Sequence, residues 1–317
     1  MKLKLVMGYD KRRVVKEGTA ASDLCIYGLN YLFDNGYLRK DEIDALVMVN
    51  QVPDHFMPAT THIIQGKLDL PQEMFCIDIP QACAGYPIGL QQAFMLLEQE
   101  NIKKVVVLNA ELLSLKTSPA DRGSRPLTGD AAAITIVEND PNGKTIYSTA
   151  DFDGRRADAL IIPAGAGRMP SSAETAKLTT DSNGNTRSLD HMVMKGDGVF
   201  NFVLNEVPEM IERVLGLAGR SKEEVDYFMF HQPNRFVLKK LADKLEIPYD
   251  KMPYNIVELF GNSCSPTLAV NLTYNLSEEL TRGKHLICLA GFGAGLSWSS
   301  MLMEMGNLDF CETIDYK

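Results

Sequence analysis

Short apolar runs alternate with longer amphipathic stretches along this chain. Runs of the first kind are typical of buried strands, and they occupy 43–49, 75–79, 104–108, 133–137, 227–230 and 285–290. Between them, apolar residues recur at helical spacing in 88–98, 199–217 and 235–246. Strands that alternate with helices in this way predict an α/β layered architecture.

A polar break interrupts this pattern at 139–190, which is rich in Asp, Gly, Asn, Ser and Arg. Its most polar part, 171–188, predicts an excursion over the surface. We therefore expect an N-terminal half, 1–140, and a C-terminal half, 141–317. The two halves share a plan, because in each a turn of small residues leads into an apolar segment and then a strand.

Composition narrows the class of protein. Hydrophobic residues make up 45% of 317 positions, and the formal net charge is −9. This charge argues against general binding to nucleic acid or to an anionic membrane, and no run approaches the ~20 apolar residues that span a bilayer. Six scattered cysteines form no CxxC pair and no metal-ligand spacing. We expect a reduced, cytoplasmic protein with no metal and no cofactor.

Cys83 is the first candidate for chemistry. The strand-like run 75–79 leads into it, and Pro87 suits the first turn of a following helix. A cysteine at a helix N-terminus is favoured as thiolate, which is the nucleophilic form. A buried structural cysteine is the alternative interpretation, and the strand–cysteine–helix setting favours the nucleophile.

Two more candidates lie in the C-terminal half. His231 directly follows the run 227–230, where an α/β fold places its ligand crevice. Asn262 lies in the turn-like segment GNSCS, and a glycine-rich turn, 291–295, follows the last of the runs. The sequence contains no P-loop, GxGxxG after a strand, HExxH or GxSxG motif.

Together these segments resemble β-ketoacyl-ACP synthase III, a condensing enzyme of the thiolase superfamily. The matching blocks, in the family's order, are DIPQACAGYPIGL, SPADRGSRPLTGDAAAITIV, MKGDGVF, FHQPN, GNSCS and GFGAGLSW. The resemblance implies a thiolase-like five-layer α-β-α-β-α fold built from two similar halves. It also implies a homodimer that uses an acyl thioester, as acyl-ACP or acyl-CoA, together with acyl carrier protein.

The resemblance also assigns roles. Cys83 would carry the acyl group, and His231 and Asn262 would bind the carbonyl of the second substrate. The backbone N–H groups of Cys83 and Ala294 would form the oxyanion hole. The resemblance implies that the substrate is bound by Phe292, by Met57 reaching across the dimer, and by Arg122, Asn234 and Arg235.

The chain departs from the family pattern at several points, which makes it an atypical and N-terminally short member. Family members begin with a longer segment that holds a first strand and a Trp stacking on the adenine of CoA. Arg235 comes one place early, and one helical residue rotates a side chain by ~100°. Ala294 replaces a glycine. The missing Trp and the displaced Arg235 predict that a carrier protein is preferred to CoA, steered by the basic segment 232–248, for which a plain solvated helix face is the alternative.

Three hypotheses for function follow. The first is decarboxylative condensation of the Cys83-bound acyl group with a malonyl-type thioester on acyl carrier protein. The second is transfer of the acyl group to an alcohol or amine, with His231 as general base. The third, less favoured because Cys, His and Asn are all present, is a non-catalytic partner subunit.

Overall fold

The computed structural model describes residues 2–317. Its α-helices are α1 Lys2–Met7, α2 Ala21–Asp34, α3 Thr60–Leu68, α4 Gly85–Leu97, α5 Gly196–Ala218, α6 Arg235–Leu245, α7 Ile256–Leu259, α8 Pro266–Asn275 and α9 Ser277–Arg282. Its strands are β1 Ala45–Val49, β2 Phe75–Ile79, β3 Lys104–Glu111, β4 Ala131–Glu138, β5 Tyr147–Phe152, β6 Leu160–Ile161, β7 Thr179–Thr180, β8 Thr186–Arg187, β9 Val193–Met194, β10 Tyr227–Phe230, β11 Lys284–Gly293 and β12 Ser297–Gly306.

The first sheet has the strand order β2-β1-β3-β4. Strands β2, β1 and β3 are parallel, and β4 returns antiparallel to β3. Every side chain of β1 is buried, because helices cover both faces of the sheet. The carboxyl ends of β1, β2 and β3 therefore lie at one edge of the sheet.

The second sheet has the order β10-β11-β12-β5. Strands β10 and β11 are parallel, whereas β12 is antiparallel to β11 and to β5. The β11–β12 hairpin thus corresponds to the β3–β4 pair of the first sheet. Helix α4 precedes the β3–β4 pair in the chain, and α8 precedes the β11–β12 pair. The two halves therefore repeat the same order of helix and strands.

Five layers result from the packing of helices on these sheets. Helices α2 and α3 pack on the outer face of the first sheet, and α5 and α6 form the outer layer beyond the second sheet. Helices α4 and α8 contact strands of both sheets and form the central layer. The predicted α/β fold of thiolase-like layers is confirmed.

Several elements differ from the pattern-based prediction. The polar break contains strand β5, which the sequence analysis treated as loop. Its residues are half-buried or exposed, and several are polar, so it gives no continuous apolar run. Helices α2 and α3 were not predicted either. The excursion 171–188 is mostly exposed and holds only the short hairpin β7–β8, as its composition predicts.

Membrane-spanning helices and clusters of metal-binding side chains are both absent from residues 2–317. No helix in this range combines the length and the apolar character needed to cross a membrane. Nor do three or more His, Cys, Asp or Glu side chains of these residues gather where they could hold a metal ion.

Candidate active site

Cys83 lies in the turn between β2 and α4, immediately before the first helical residues. The turn closes with a hydrogen bond from the Gly85 N–H to the Ala82 carbonyl, 2.8 Å long. A Cβ on Gly85 would lie 2.3 Å from Val49 Cγ1, so only glycine lets this helix start so close to β1. Tight packing of the helix start therefore fixes the position of the cysteine.

The end of β11, in the second sheet, lies in close contact with Cys83. A Cβ on Gly293 would lie 2.8 Å from Cys83 Sγ, and one on Gly291 would lie 2.6 Å from the Cys83 carbonyl oxygen. The glycine-rich turn noted in the sequence thus allows backbone to approach the thiol. Ala294, the next residue, packs in the same small cluster as Cys83.

His231 follows the last residue of β10 and is buried. Its backbone N–H donates to the Ala290 carbonyl at 2.7 Å, and its ring Nδ1 lies 2.7 Å from the Thr267 hydroxyl. That hydroxyl donates its one proton to the Cys264 carbonyl at 2.7 Å. The Nδ1 atom of His231 is therefore the donor to Thr267, which leaves Nε2 for chemistry.

Asn262 is held by the first half of the chain. Its N–H donates to the Leu127 carbonyl at 2.6 Å, and its carbonyl accepts from the Gly129 N–H at 2.9 Å. Its side-chain Oδ1 accepts from the Cys264 N–H at 2.9 Å. Because Oδ1 is occupied, the Nδ2 group is the part of the amide left to bind an acceptor.

Cys264 and Thr267 join the three predicted residues, and sequence reasoning gave neither a role. Cys264 Sγ lies 3.4 Å from Cys83 Sγ, and its backbone binds both Asn262 and Thr267. Thr267 in turn binds His231. A continuous path of contacts thus brings together residues 83, 231 and 262. The spacing of Cys264, two residues after the asparagine, was the only signal in the sequence.

The electrostatics of the site favour a thiolate at Cys83. A hydrogen bond with Cys264 is the largest cause that lowers the pKa of Cys83, followed by the charge of His231 and a hydrogen bond with it. Burial opposes these effects. Conversely, the hydrogen bond with Cys83 and burial raise the pKa of Cys264 well above that of an ordinary thiol. The two shifts favour a thiolate at Cys83 and a neutral thiol at Cys264.

Glu111, at the end of β3, is a buried acid that the sequence analysis did not single out. Its Oε1 accepts from the Gln51 N–H at 3.1 Å, whereas its Oε2 has no hydrogen-bond partner in the described residues. Burial, with the charge of Cys83 adding to it, raises the pKa of Glu111 well above its usual value. Burial therefore favours the neutral form of this acid, which lies close enough to Cys83 to feel its charge.

The remaining predicted residues lie in different surroundings. The Phe292 ring is buried and meets the His231 ring edge-on at 5.5 Å. Met57 is 82% exposed in the loop after β1, beside Phe56, which is 86% exposed. Within a single chain, Met57 therefore touches little, and its predicted part in an acyl pocket stays a prediction.

Arg122 lines a crevice of about 730 Å³ together with Arg12 and Arg125. The crevice borders the active site, because Arg12 Nη1 donates to the Thr128 carbonyl at 3.3 Å and Thr128 forms a parallel bridge with Asn262. Three guanidinium groups at this place can bind a phosphate.

Asn234 and Arg235 begin helix α6. Asn234 caps the helix, since its Oδ1 accepts from the Val237 N–H at 2.9 Å. Arg235 forms an ion pair with Glu258 and contacts Gly8, where a Cβ would lie 2.6 Å from Arg235 Cβ. Both residues therefore have structural partners, and their predicted contacts with substrate stay predictions.

Comparison with known proteins gives the family. A family model described as 3-oxoacyl-[acyl-carrier-protein (ACP)] synthase III matches residues 77–154, and a model of the C-terminal part of that synthase matches residues 215–305. The chain is 32% identical over 314 residues to a putative 3-oxoacyl-[acyl-carrier-protein] synthase 3 of Campylobacter jejuni, covering 97% of this chain and 85% of that protein. A β-ketoacyl-[acyl-carrier-protein] synthase III of Syntrophomonas wolfei is 30% identical over 304 residues, covering 94% and 87%.

Solved structures agree with the sequence comparison. A crystal structure of a 3-oxoacyl-(acyl-carrier-protein) synthase III superposes with a TM-score of 0.91 at 34% identity, covering 96% of this chain and 90% of that one. A 3-oxoacyl-(acyl-carrier protein) synthase from Burkholderia xenovorans gives a TM-score of 0.90 at 32% identity, covering 99% of this chain and 88% of that one. The chain belongs to the 3-oxoacyl-ACP synthase III family and is an acyl-transferring condensing enzyme.

Proposed function

We propose that Cys83 carries the acyl group and that His231 and Asn262 bind the malonyl-type thioester with which it condenses. The observation that carries this proposal is the path of contacts through Cys264 and Thr267, which links the thiolate, the imidazole and the amide. Each group then has one atom left for substrate. These atoms are Cys83 Sγ, His231 Nε2 and Asn262 Nδ2.

The first step is acylation. Cys83 Sγ attacks the thioester carbonyl, and His231 Nε2 holds the proton that the thiol has lost. No hydrogen bond joins the N–H of Cys83 or of Ala294 to another residue in 2–317, so both can donate to the oxyanion. Helices α4 and α8 both begin beside the two thiols, and a helix N-terminus stabilises negative charge. The carrier leaves as a thiolate and takes a proton from solvent, so His231 Nε2 keeps its proton for the second step.

The second step is condensation. The carbonyl of the malonyl thioester accepts hydrogen bonds from His231 Nε2–H and Asn262 Nδ2–H, which stabilise the enolate as carbon dioxide leaves. The enolate carbon attacks the acyl carbonyl, and Cys83 leaves as thiolate. A preorganised donor at such a site lowers the activation barrier by about 3 kcal/mol. Family membership favours this carbon–carbon bond formation over transfer to an alcohol or amine.

The same proposal includes a carrier protein as the preferred donor. Helix α6 presents Lys240 and Lys244, which are exposed, whereas Arg235 is neutralised by Glu258. An acidic carrier would be steered to such lysines despite the net charge of −9. The arginine-lined crevice would accept the phosphate of its phosphopantetheine arm, a group that CoA shares.

The experiment compares kcat/KM for an acyl-CoA and the matching acyl-carrier protein, at low and at moderate salt. Lys240→Glu/Lys244→Glu should slow the carrier reaction and reduce its salt dependence, because exposed charges are screened beyond ~8 Å at physiological ionic strength. Lys103→Glu/Lys144→Glu changes the net charge equally, at exposed sites outside α6, and is the control. A faster reaction with CoA, or equal effects of the two variants, would refute the preference.

We also propose a homodimer formed through the outer edge of β2. This strand is an edge of the first sheet, and its Phe75 is exposed, unlike the residues of neighbouring β1. The exposed Phe56 and Met57 precede helix α3, which is tied to β2 by the hydrogen bond from the Thr60 N–H to Asp78. Light scattering should report a dimer for the parent and a monomer for Phe75→Glu; a parent monomer would refute this.

A further inference from the structure

Cys83 and Cys264 form a close pair of reduced thiols in the active site. Their sulfur atoms are 3.4 Å apart, although 181 residues separate them in the chain. Both are buried, with exposed fractions of 7% and 1%, in a small cluster completed by apolar side chains. The proposed condensation uses only one of the two sulfurs, so the second has no part in forming the new bond.

The backbone around Cys264 fixes the second sulfur in this place. Cys264 has a φ of +62°, a left-handed conformation that residues other than glycine adopt only when contacts hold them. Its N–H donates to Asn262 Oδ1, and its carbonyl accepts from the Thr267 hydroxyl. Gly293 confines the other sulfur from the opposite side. The backbone that carries the Cys264 thiol is therefore fixed, and the Cys83 thiol is confined on one side.

The pKa values of the two thiols are shifted in opposite directions, as a reactive pair requires. The pKa of Cys83 is lowered and that of Cys264 is raised, each chiefly by the hydrogen bond between them. A thiolate is the form that peroxides oxidise, and a neutral neighbouring thiol can then supply both a sulfur and a proton. The other four cysteines lack this arrangement, since they belong to other packing clusters or to the surface of the first sheet.

We propose that Cys83 and Cys264 are a reversible oxidation site, in which a peroxide converts the two thiols to a disulfide. The Cys83 thiolate attacks one oxygen of hydrogen peroxide, which gives Cys83 sulfenic acid and, with one proton, water. The Cys264 sulfur then attacks the sulfenic sulfur, the S–O bond breaks, and the Cys264 proton leaves with the hydroxyl as a second water. The two sulfurs lose two electrons in total, and the peroxide gains them.

The geometry suits this second step because the sulfurs need to approach from 3.4 Å to the ~2.05 Å of a disulfide. In the disulfide, Cys83 Sγ is bonded to Cys264 Sγ and can no longer attack a thioester, so acylation stops. It also keeps Cys83 from further oxidation to sulfinic acid, which is irreversible without a dedicated enzyme. A dithiol reduces the bond by exchange and restores both thiols. The loss of activity depends on the proposed role of Cys83, whereas formation of the bond does not.

The test treats the reduced full-length protein with hydrogen peroxide, blocks remaining thiols with iodoacetamide, and maps peptides by mass spectrometry. We expect a cross-linked pair containing Cys83 and Cys264, with a mass loss of about 2 Da that dithiothreitol reverses. In Cys264→Ser, Cys83 should instead gain about 32 Da as sulfinic acid and remain oxidised after dithiothreitol. Cys288→Ser, in another packing cluster, is the control and should still form the cross-link.

Two outcomes would overturn the proposal. One is that wild type accumulates Cys83 sulfinic acid as fast as Cys264→Ser does. The other is that the cross-link joins different cysteines. Activity, expressed relative to each untreated variant, separates the two claims. A reversible cross-link in a protein that never acylates Cys83 would support the oxidation site and refute the proposed function, and acylation without a cross-link would do the reverse.

Discussion

Thr267 offers a sharp test of how the imidazole is held. Its hydroxyl accepts from His231 Nδ1 at 2.7 Å and from the Gln232 N–H at 3.3 Å, and it donates to the Cys264 carbonyl at 2.7 Å. The residue is fully buried. Thr267→Val replaces the hydroxyl by a methyl group of nearly the same size, so it removes these hydrogen bonds and leaves the shape of the site almost unchanged.

The magnitude follows from the partners that remain. The Cys264 carbonyl keeps a hydrogen bond from the Thr267 N–H at 3.2 Å, so the donors left without an acceptor are the Nδ1–H of His231, which had the shorter bond, and the N–H of Gln232. A buried donor without a partner costs about 1–3 kcal/mol. If that cost falls on the productive tautomer of His231, the barrier rises by the same amount and kcat/KM falls by about 5- to 150-fold. The free energy of unfolding should fall by an amount of the same order, about 1–3 kcal/mol.

Steady-state condensation kinetics, with denaturant unfolding as the control for folding, measure both effects. Thr267→Ser keeps the hydroxyl and loses one methyl group, so its kcat/KM should stay within about threefold of the parent even where packing lowers its stability. A folded Thr267→Val enzyme with parental kcat/KM would show that Thr267 does not position His231.

Two further predictions concern the triad. His231→Ala and Asn262→Ala should still acylate at Cys83 and show a normal burst, but condense about 100-fold or more slowly, since they lose donors to the second carbonyl; loss of the burst in both would contradict this division of roles. Because the pKa of Cys83 is lowered, its alkylation by iodoacetamide should remain fast as pH falls from 8.5 to 7, whereas thiols of the urea-unfolded chain should slow by about tenfold or more. His231→Ala should move this pH profile upward, and an unchanged profile would exclude His231 as a cause.

The sequence predicted those parts of the fold whose local pattern agrees with their burial. Strand β10 has the predicted bounds because it is a continuous apolar run, and β2 has the predicted bounds although Asp78 interrupts its apolar residues. Strand β5 could not be found in this way, because it lies at a sheet edge and is only partly covered. Helix α4 begins three residues before the predicted helix, at a glycine that only close packing against β1 explains.

The sequence singled out three residues that the structure brings together, but not the contacts between them. Cys83 and Asn262 lie in turns and His231 directly follows a strand, and their catalytic roles stay a proposal. Cys264 and Thr267 gave no separate signal, since their importance depends on contacts with residues far away in the chain. The raised pKa of Glu111 depends on burial that no local pattern reports. The substrate roles of Met57, Arg122, Asn234 and Arg235, the division of the chain at residue 140 and the cytoplasmic location stay predictions.

The central claim is that Cys83 carries the acyl group, and intact-mass spectrometry tests it most directly. The protein is incubated with a panel of acyl-CoAs and acyl-carrier proteins without malonyl thioester, and the adduct is mapped by peptide analysis. We predict one acyl adduct, on Cys83, that is absent from Cys83→Ala and disappears when malonyl-carrier protein is added. An adduct on Cys264 or another residue, or an adduct that persists in Cys83→Ala, would contradict the account.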